Sequence, residues 1–167
     1  MIFKKYIDKT LLNSQTLKTV EGVNLNKYVG KWHEIASYPH FFQKGCNNTS
    51  AEYVITNKGY MIVKNRYNED SKSGKLSYIK GKVFVEEKFE NAKLRIQFFW
   101  PFKGKHWITD LADDYSYVVV CHPNNKYLWI LSRTPMMDDC VYQKIIQKLV
   151  ITGFELSRIQ KTNQKTT

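Results

Sequence analysis

Cysteine is too scarce in this chain to build on: Cys46, Cys121 and Cys140 are odd in number, and none stands in a Cys-x-x-Cys pair or at zinc-ligand spacing from a histidine. A complete disulfide set is therefore excluded and no metal site is expected. No apolar run approaches the about 18 to 20 residues that a membrane-spanning helix needs. The N-terminus, Met1-Ile-Phe-Lys-Lys-Tyr-Ile-Asp, meets Asp8 and Lys9 where a secretory signal has its apolar stretch, so no export signal is expected. Internal repeats and low-complexity segments are missing too. Acidic residues are the minority, 15 against 26 Lys and Arg, which leaves a formal charge of +11.

What is present suits one domain. A chain of 167 residues, 43% apolar and 14% aromatic, is long enough to bury a substantial core without a metal or a disulfide as a staple. The positive charge raises an anionic membrane surface or nucleic acid as a partner. Residues 71–110, however, set nine Lys or Arg against four acids and alternate them with Leu94, Ile96 and Phe98 instead of massing them. That is how the solvated face of a sheet reads. Nucleic acid is not expected, because no aromatic platform interleaved with Arg or Lys is evident; peripheral contact with an anionic membrane stays open.

From about residue 30 to 134 there is hardly any helical periodicity. Strands are expected near 30–38, 49–56, 60–68, 75–86, 92–100, 105–112, 116–122 and 127–134, joined by short links such as Asn57-Lys58-Gly59 and His122-Pro123-Asn124-Asn125. Links this short favour antiparallel neighbours in chain order, and eight such strands closing on themselves enclose room for one small ligand. The fold class expected is all-β: an eight-stranded antiparallel up-and-down barrel. Period-two alternation puts Met61, Val63, Asn65 and Tyr67 inside, opposite Lys64 and Arg66. It likewise turns Ala51, Tyr53, Ile55, Leu94, Ile96 and Phe98 inward. Ile35, Leu128 and Ile130 are apolar on the outer face, so something must cover them.

The cover is a helix over 138–152. Asp138 or Asp139 can cap it, Val141, Ile145 and Leu149 recur at helical spacing, and Gly153 can end it. Phe154 to Gln160 is expected to add a short edge strand. The domain reading is an N-terminal arm over 1–20, the barrel with its helix over 21–160, and a polar tail over 161–167 with no reason to be ordered.

Two segments resemble a known family. Gly30-x-Trp32 opens the first strand in Val23-Asn-Leu-Asn-Lys-Tyr-Val-Gly-Lys-Trp-His-Glu-Ile-Ala-Ser-Tyr38, and Tyr127-Leu-Trp-Ile-Leu-Ser-Arg-Thr-Pro135 holds Arg133 in the last strand. With Phe98-Phe99-Trp100-Pro101-Phe102, these make the chain similar to the lipocalins, in particular the bacterial outer-membrane branch related to apolipoprotein D. The resemblance covers roughly residues 20–160. It implies a barrel closed at one end and open at the other, holding a small apolar molecule. Gly30, Trp32 and Arg133 would form its floor, with the guanidinium lying across the indole.

The resemblance also implies a ligand site at Tyr53, Asn65, Phe98, His106 and Trp129. Phe98 and Trp129 can equally be core rings. Asn65 must find a side chain, a cavity water or a ligand head group. His106 is expected at the rim, in water, and Lys103 and Lys105 are rim cations able to attract a carboxylate or phosphate. The family's Thr-Asp-Tyr block is altered here to Leu111-Ala112-Asp113-Asp114-Tyr115, so a different turn is expected there. Bacterial members carry an export signal and a lipidated cysteine, which points to periplasm or outer membrane; no signal is read here and no cysteine precedes Cys46, so a lipid anchor is not implied, and the cytoplasm, or a chain whose signal has been removed, stays open. Cys46 lacks the partner that apolipoprotein D-like members have and is expected to stay a thiol.

The function expected is binding and carriage of a fatty acid, lysophospholipid or similar amphiphile, with no catalytic residue and no cofactor, as a monomer or homodimer. Two alternatives compete with it. One is a thiol-dependent or lipid-modifying enzyme on the same scaffold, disfavoured because Cys121 and His122 are adjacent in a strand and point to opposite faces. The other is an adaptor whose basic exterior meets anionic membranes.

Overall fold

The computed structural model describes residues 17–39, 46–68, 75–86 and 90–164. The chain enters at the base. Val20 and Val23 donate their amides to the Ile108 and Glu90 carbonyls, and one helical turn follows, α1 (Leu25–Tyr28), capped by Asn24, whose side chain accepts from the Asn26 and Lys27 amides. Most of the expected arm, residues 1–16, lies outside the described residues.

Eight strands then run alternately up and down: β1 (Gly30–Ser37), β2 (Asn47–Ile55), β3 (Met61–Asn68), β4 (Leu76–Val85), β5 (Lys93–Phe99), β6 (Phe102–Leu111), β7 (Tyr117–Cys121) and β8 (Leu128–Ser132). Each pairs antiparallel with the next, and β1 pairs with both β2 and β8, which closes the barrel. Strands β2, β4 and β6 finish at the end where α1 and Trp32 sit; β1, β3, β5 and β7 finish at the other. Positive-φ residues make several of the tight turns, among them Gly59, Asn91, Tyr115 and Asn125.

Alternation sorts the faces as the sequence implies, with one exception. Val63, Val83, Leu94, Ile108 and Val118 are wholly buried on the inner face, and each contributes roughly 1.5–3 kcal/mol of burial. Ile55 is not among them. It lies at the last position of β2, past the packed base, and is 45% exposed.

Helix α2 (Asp139–Ile151) lies on the outside, capped by Asp138, which accepts from the Cys140 and Val141 amides. Gly153 follows with φ +83°, the left-handed conformation that suits a helix stop. Tyr142, Ile145 and Leu149 bury their face against Ala36, Val119, Cys121, Leu128 and Ile130, while Val141 is only half-buried. A register shift between Glu34 and Ala36 turns Ala36 onto this outer cluster beside Ile35.

The C-terminal segment differs from the expectation. After a 3₁₀ turn (Leu156–Arg158), the edge strand is β9 (Gln160–Lys161), which begins at the last residue of the expected strand and runs into the expected tail. It pairs with Ala36 and Ser37 on β1. Thr162 donates its amide to the Ile35 carbonyl, and Asn163 accepts from the Asn48 amide on β2. The Gln164 side-chain amide reaches the carbonyls of Glu34 and Thr49. Above Tyr53–Ser50, where β1 and β2 cease to pair, residues 160–164 fill the seam. Residues 161–164 are held in place because they supply hydrogen bonds the separating strands would otherwise lack.

Candidate functional site

The two ends of the barrel are built differently, and the base explains why the cavity stops where it does. Trp32 is wholly buried, donates its indole N–H to the Tyr28 carbonyl at 2.9 Å and carries the Arg133 guanidinium 3.6 Å from its ring centroid. The same guanidinium donates to the carbonyls of Lys27, Tyr28, Lys31 and Tyr115. Gly30 has φ +96°, and a Cβ there would lie 3.3 Å from Arg133 Nη1. A side chain at that position would be both strained and pressed on the cation. The altered turn before β7 joins this floor: Tyr115, at φ +60°, accepts the Asn24 amide on its hydroxyl.

Above the floor the barrel is hollow. A cavity of about 610 Å³ opens toward the other end, lined by aromatic and aliphatic side chains including Tyr67, Ile79, Ile96, Phe98, Tyr127, Trp129 and Leu131. All five residues expected to meet a ligand border it: Tyr53, Asn65, Phe98, His106 and Trp129. Phe98 lies flat against β4 because Gly81 has no side chain; a Cβ there would stand 2.9 Å from Phe98 Cδ1. Trp129 stacks near Tyr127, with ring centroids 6.1 Å apart.

His106 corrects an expectation. It is not at the rim in water but 8% exposed inside the barrel, with Nε2 3.3 Å from the Tyr53 hydroxyl and its ring 5.4 Å from that of Trp129. Burial pushes its pKa down to about 3, so the imidazole is neutral at physiological pH. Burial also pushes the Tyr53 hydroxyl up to about 12. The two lysines expected at the rim are exposed, and Lys105 borders the cavity. Lys103 Nζ sits 3.9 Å from the Phe84 ring centroid and Lys105 Nζ 5.6 Å from that of Trp107. Their ammonium groups lie over rings of the outer wall.

Glu34 was missed. It is 5% exposed and lines the cavity. Its place two residues after Trp32 on the same strand was the signal available. Cys121 is buried in the outer cluster under α2, and burial pushes its thiol up to about 12, which opposes thiolate chemistry; His122 borders the cavity instead. Among the described residues no cysteine is in a disulfide and no group of three or more His, Cys, Asp or Glu can hold a metal. No helix among them is long and apolar enough to cross a membrane.

Residues 23–164 match the family model of the lipocalin-like domain. The chain belongs to the lipocalin-like family. It is similar to the outer membrane lipoprotein Blc of Vibrio cholerae, 35% identical over 153 residues that cover 90% of this chain and 88% of that protein. Temperature-induced lipocalin-1 of Arabidopsis thaliana is 32% identical over 166 residues, covering 94% of this chain and 88% of the plant protein. Apolipoprotein D of Mus musculus is 30% identical over 154 residues, covering 86% and 78%. Insecticyanin from the tobacco hornworm Manduca sexta shares the fold, with a TM-score of 0.72 at 21% identity over 89% of this chain and 85% of that one. The lipocalin family binds small hydrophobic molecules, and a hollow barrel of this kind is the part that does so.

Proposed function

We propose that this lipocalin binds and carries one single-chain amphiphile, a fatty acid, lysophospholipid or similar lipid, with its hydrocarbon in the barrel cavity. The observation that carries the reading is the cavity of about 610 Å³, open at one end and walled mostly by aromatic and aliphatic side chains with a few fixed polar groups. Tyr53, Asn65, Phe98, His106 and Trp129 are its ligand contacts, and Gly30, Trp32 and Arg133 its floor. Each buried methylene contributes about 0.8 kcal/mol, so affinity rises about fourfold per carbon until the cavity is filled. Titration with saturated acyl chains of increasing length, read by tryptophan fluorescence, tests this, since Trp129 reports from within. A saturable response that tightens with length supports the reading; no saturable response at any length removes it.

A second reading concerns the source of the ligand, an anionic bilayer. The turn between β5 and β6 at the mouth exposes Phe99, Trp100 and Phe102 by 62%, 85% and 77%, on a chain of net charge +11. Aromatic side chains in that position suit the interface of a membrane, and the charge favours an anionic one. Sedimentation with phosphatidylglycerol vesicles but not phosphatidylcholine vesicles, lost on Trp100→Ser, is the expected result.

A further inference from the structure

The lower cavity holds more hydrogen-bond acceptors than a store for hydrocarbon needs. Glu34 lines it at 5% exposure, and both hydroxyls that reach the carboxylate, Ser37 Oγ at 2.9 Å and Thr162 Oγ1 at 2.6 Å, donate to Oε1. Among the described residues nothing donates to Oε2 and no cation pairs with this carboxylate. Asn65 brings a second acceptor: its Oδ1 is buried with no hydrogen-bond partner. The two stand on one wall, two strands apart, because Asn65 faces Ala51 across β2 and β3, and Ala51 faces Trp32, two residues before Glu34. The His106 imidazole, which also lines the cavity, is neutral and engaged by Tyr53. Of the described lining residues only Lys105 carries a fixed positive charge, and its ammonium lies over Trp107 on the outer wall.

From this arrangement we infer that the lower cavity selects an amphiphile whose buried end carries a hydrogen-bond donor, a hydroxyl above all, and rejects one whose buried end is a carboxylate. A hydroxyl gives its proton to Asn65 Oδ1 or Glu34 Oε2 and satisfies an acceptor that the protein leaves open. A methyl end leaves both acceptors unpaired. A carboxylate has no proton to give and brings a second negative charge beside Glu34 where little solvent screens it. A fatty acid therefore lies with its carboxylate at the mouth and its far end in the base. The inference rests on the carrier reading above and adds to it the chemistry and orientation of the cargo.

Three probes with one chain length separate these claims in the intact protein at pH 8: dodecanoate, 12-hydroxydodecanoate and dodecanedioate, each titrated calorimetrically. The hydroxy acid is expected to bind at least as tightly as dodecanoate despite its lower hydrophobicity, and the diacid, which must bury a carboxylate whichever way it enters, roughly tenfold or more weaker. Asn65→Leu is expected to weaken the hydroxy acid by roughly fivefold to tenfold without weakening dodecanoate. Glu34→Gln is expected to narrow the gap between diacid and monoacid. A hydroxy acid weaker than dodecanoate, or a diacid as tight as the monoacid, overturns the donor-selective base and leaves the carrier reading intact. If none of the three binds, both fall. The ranking on the unmutated protein decides the matter even where a variant folds poorly.

Discussion

At the closed end of the barrel, Tyr28, Trp32 and Leu94 are wholly buried and one guanidinium donates to four backbone carbonyls while covering an indole. At the mouth, Phe99, Trp100 and Phe102 stand in solvent, and between the two lies a cavity of about 610 Å³. The same eight strands make both ends. The difference teaches that stability is concentrated where interior side chains meet each other, whereas the upper barrel forgoes those contacts and keeps its apolar surface for something else. The polar groups divide the same way. At the floor the Trp32 indole N–H and the Arg133 guanidinium are taken up by backbone carbonyls, although the Tyr28 hydroxyl is buried there without a partner, whereas above it Glu34 and Asn65 keep capacity open toward the cavity.

The strongest way to break this comparison is Trp32→Ala. It is expected to cost about 3–5 kcal/mol in urea unfolding, because it empties the best-packed position and strips Arg133 of its ring. A loss below about 1 kcal/mol would mean that the floor is not where stability resides. Acid sharpens the contrast next. The folded-state pKa of His106 is about 3, below the ordinary value near 6.5, so from pH 6.5 downward the unfolded chain takes up a proton that the fold refuses. Stability is then lost as pH falls, by about 1.4 kcal/mol per unit and about 2 kcal/mol by pH 5 from this residue alone. Unfolding measured at pH 7 and pH 5 in the parent and in His106→Leu should show that part of the slope vanish in the variant.

Gly81→Ala attacks the upper half. The added methyl meets Phe98 at 2.9 Å and the Gln97 carbonyl at 3.1 Å, so Phe98 is expected to swing into the cavity. Stability should fall by about 1–3 kcal/mol and acyl-chain affinity with it, whereas Trp32→Ala at a temperature where it stays folded should spare affinity. The smallest effect belongs to the seam. Gln164→Ala removes two hydrogen bonds to Glu34 and Thr49 and is expected to cost about 1 kcal/mol, with faster hydrogen exchange at the Asn48 amide, which Asn163 accepts.

Much of the fold was legible because it rests on local regularities. The strands, the turns at Gly59 and Asn125, the helix capped by Asp138 and stopped at Gly153 all announce themselves within a few residues. The candidate site was legible in part: alternation turned Tyr53, Asn65 and Phe98 inward. It failed for His106 because depth inside a barrel depends on which strand lies opposite, and here that is the Tyr53 hydroxyl. The seam was illegible for a similar reason, since residues 160–164 look polar and loose until two strands far back in the chain are seen to part.

The sequence by itself determined that this would be a closed antiparallel barrel with one helix outside, since a two-residue period, short links and a helical stripe are properties of neighbouring residues. Only the tertiary structure decided that Glu34 and Asn65 share one wall, that His106 is neutral in the dark of the barrel, and that residues 160–164 complete the wall between β1 and β2. Those outcomes depend on register, on the bulge after Glu34 and on closure of the sheet, all of which bring together side chains that no local pattern relates.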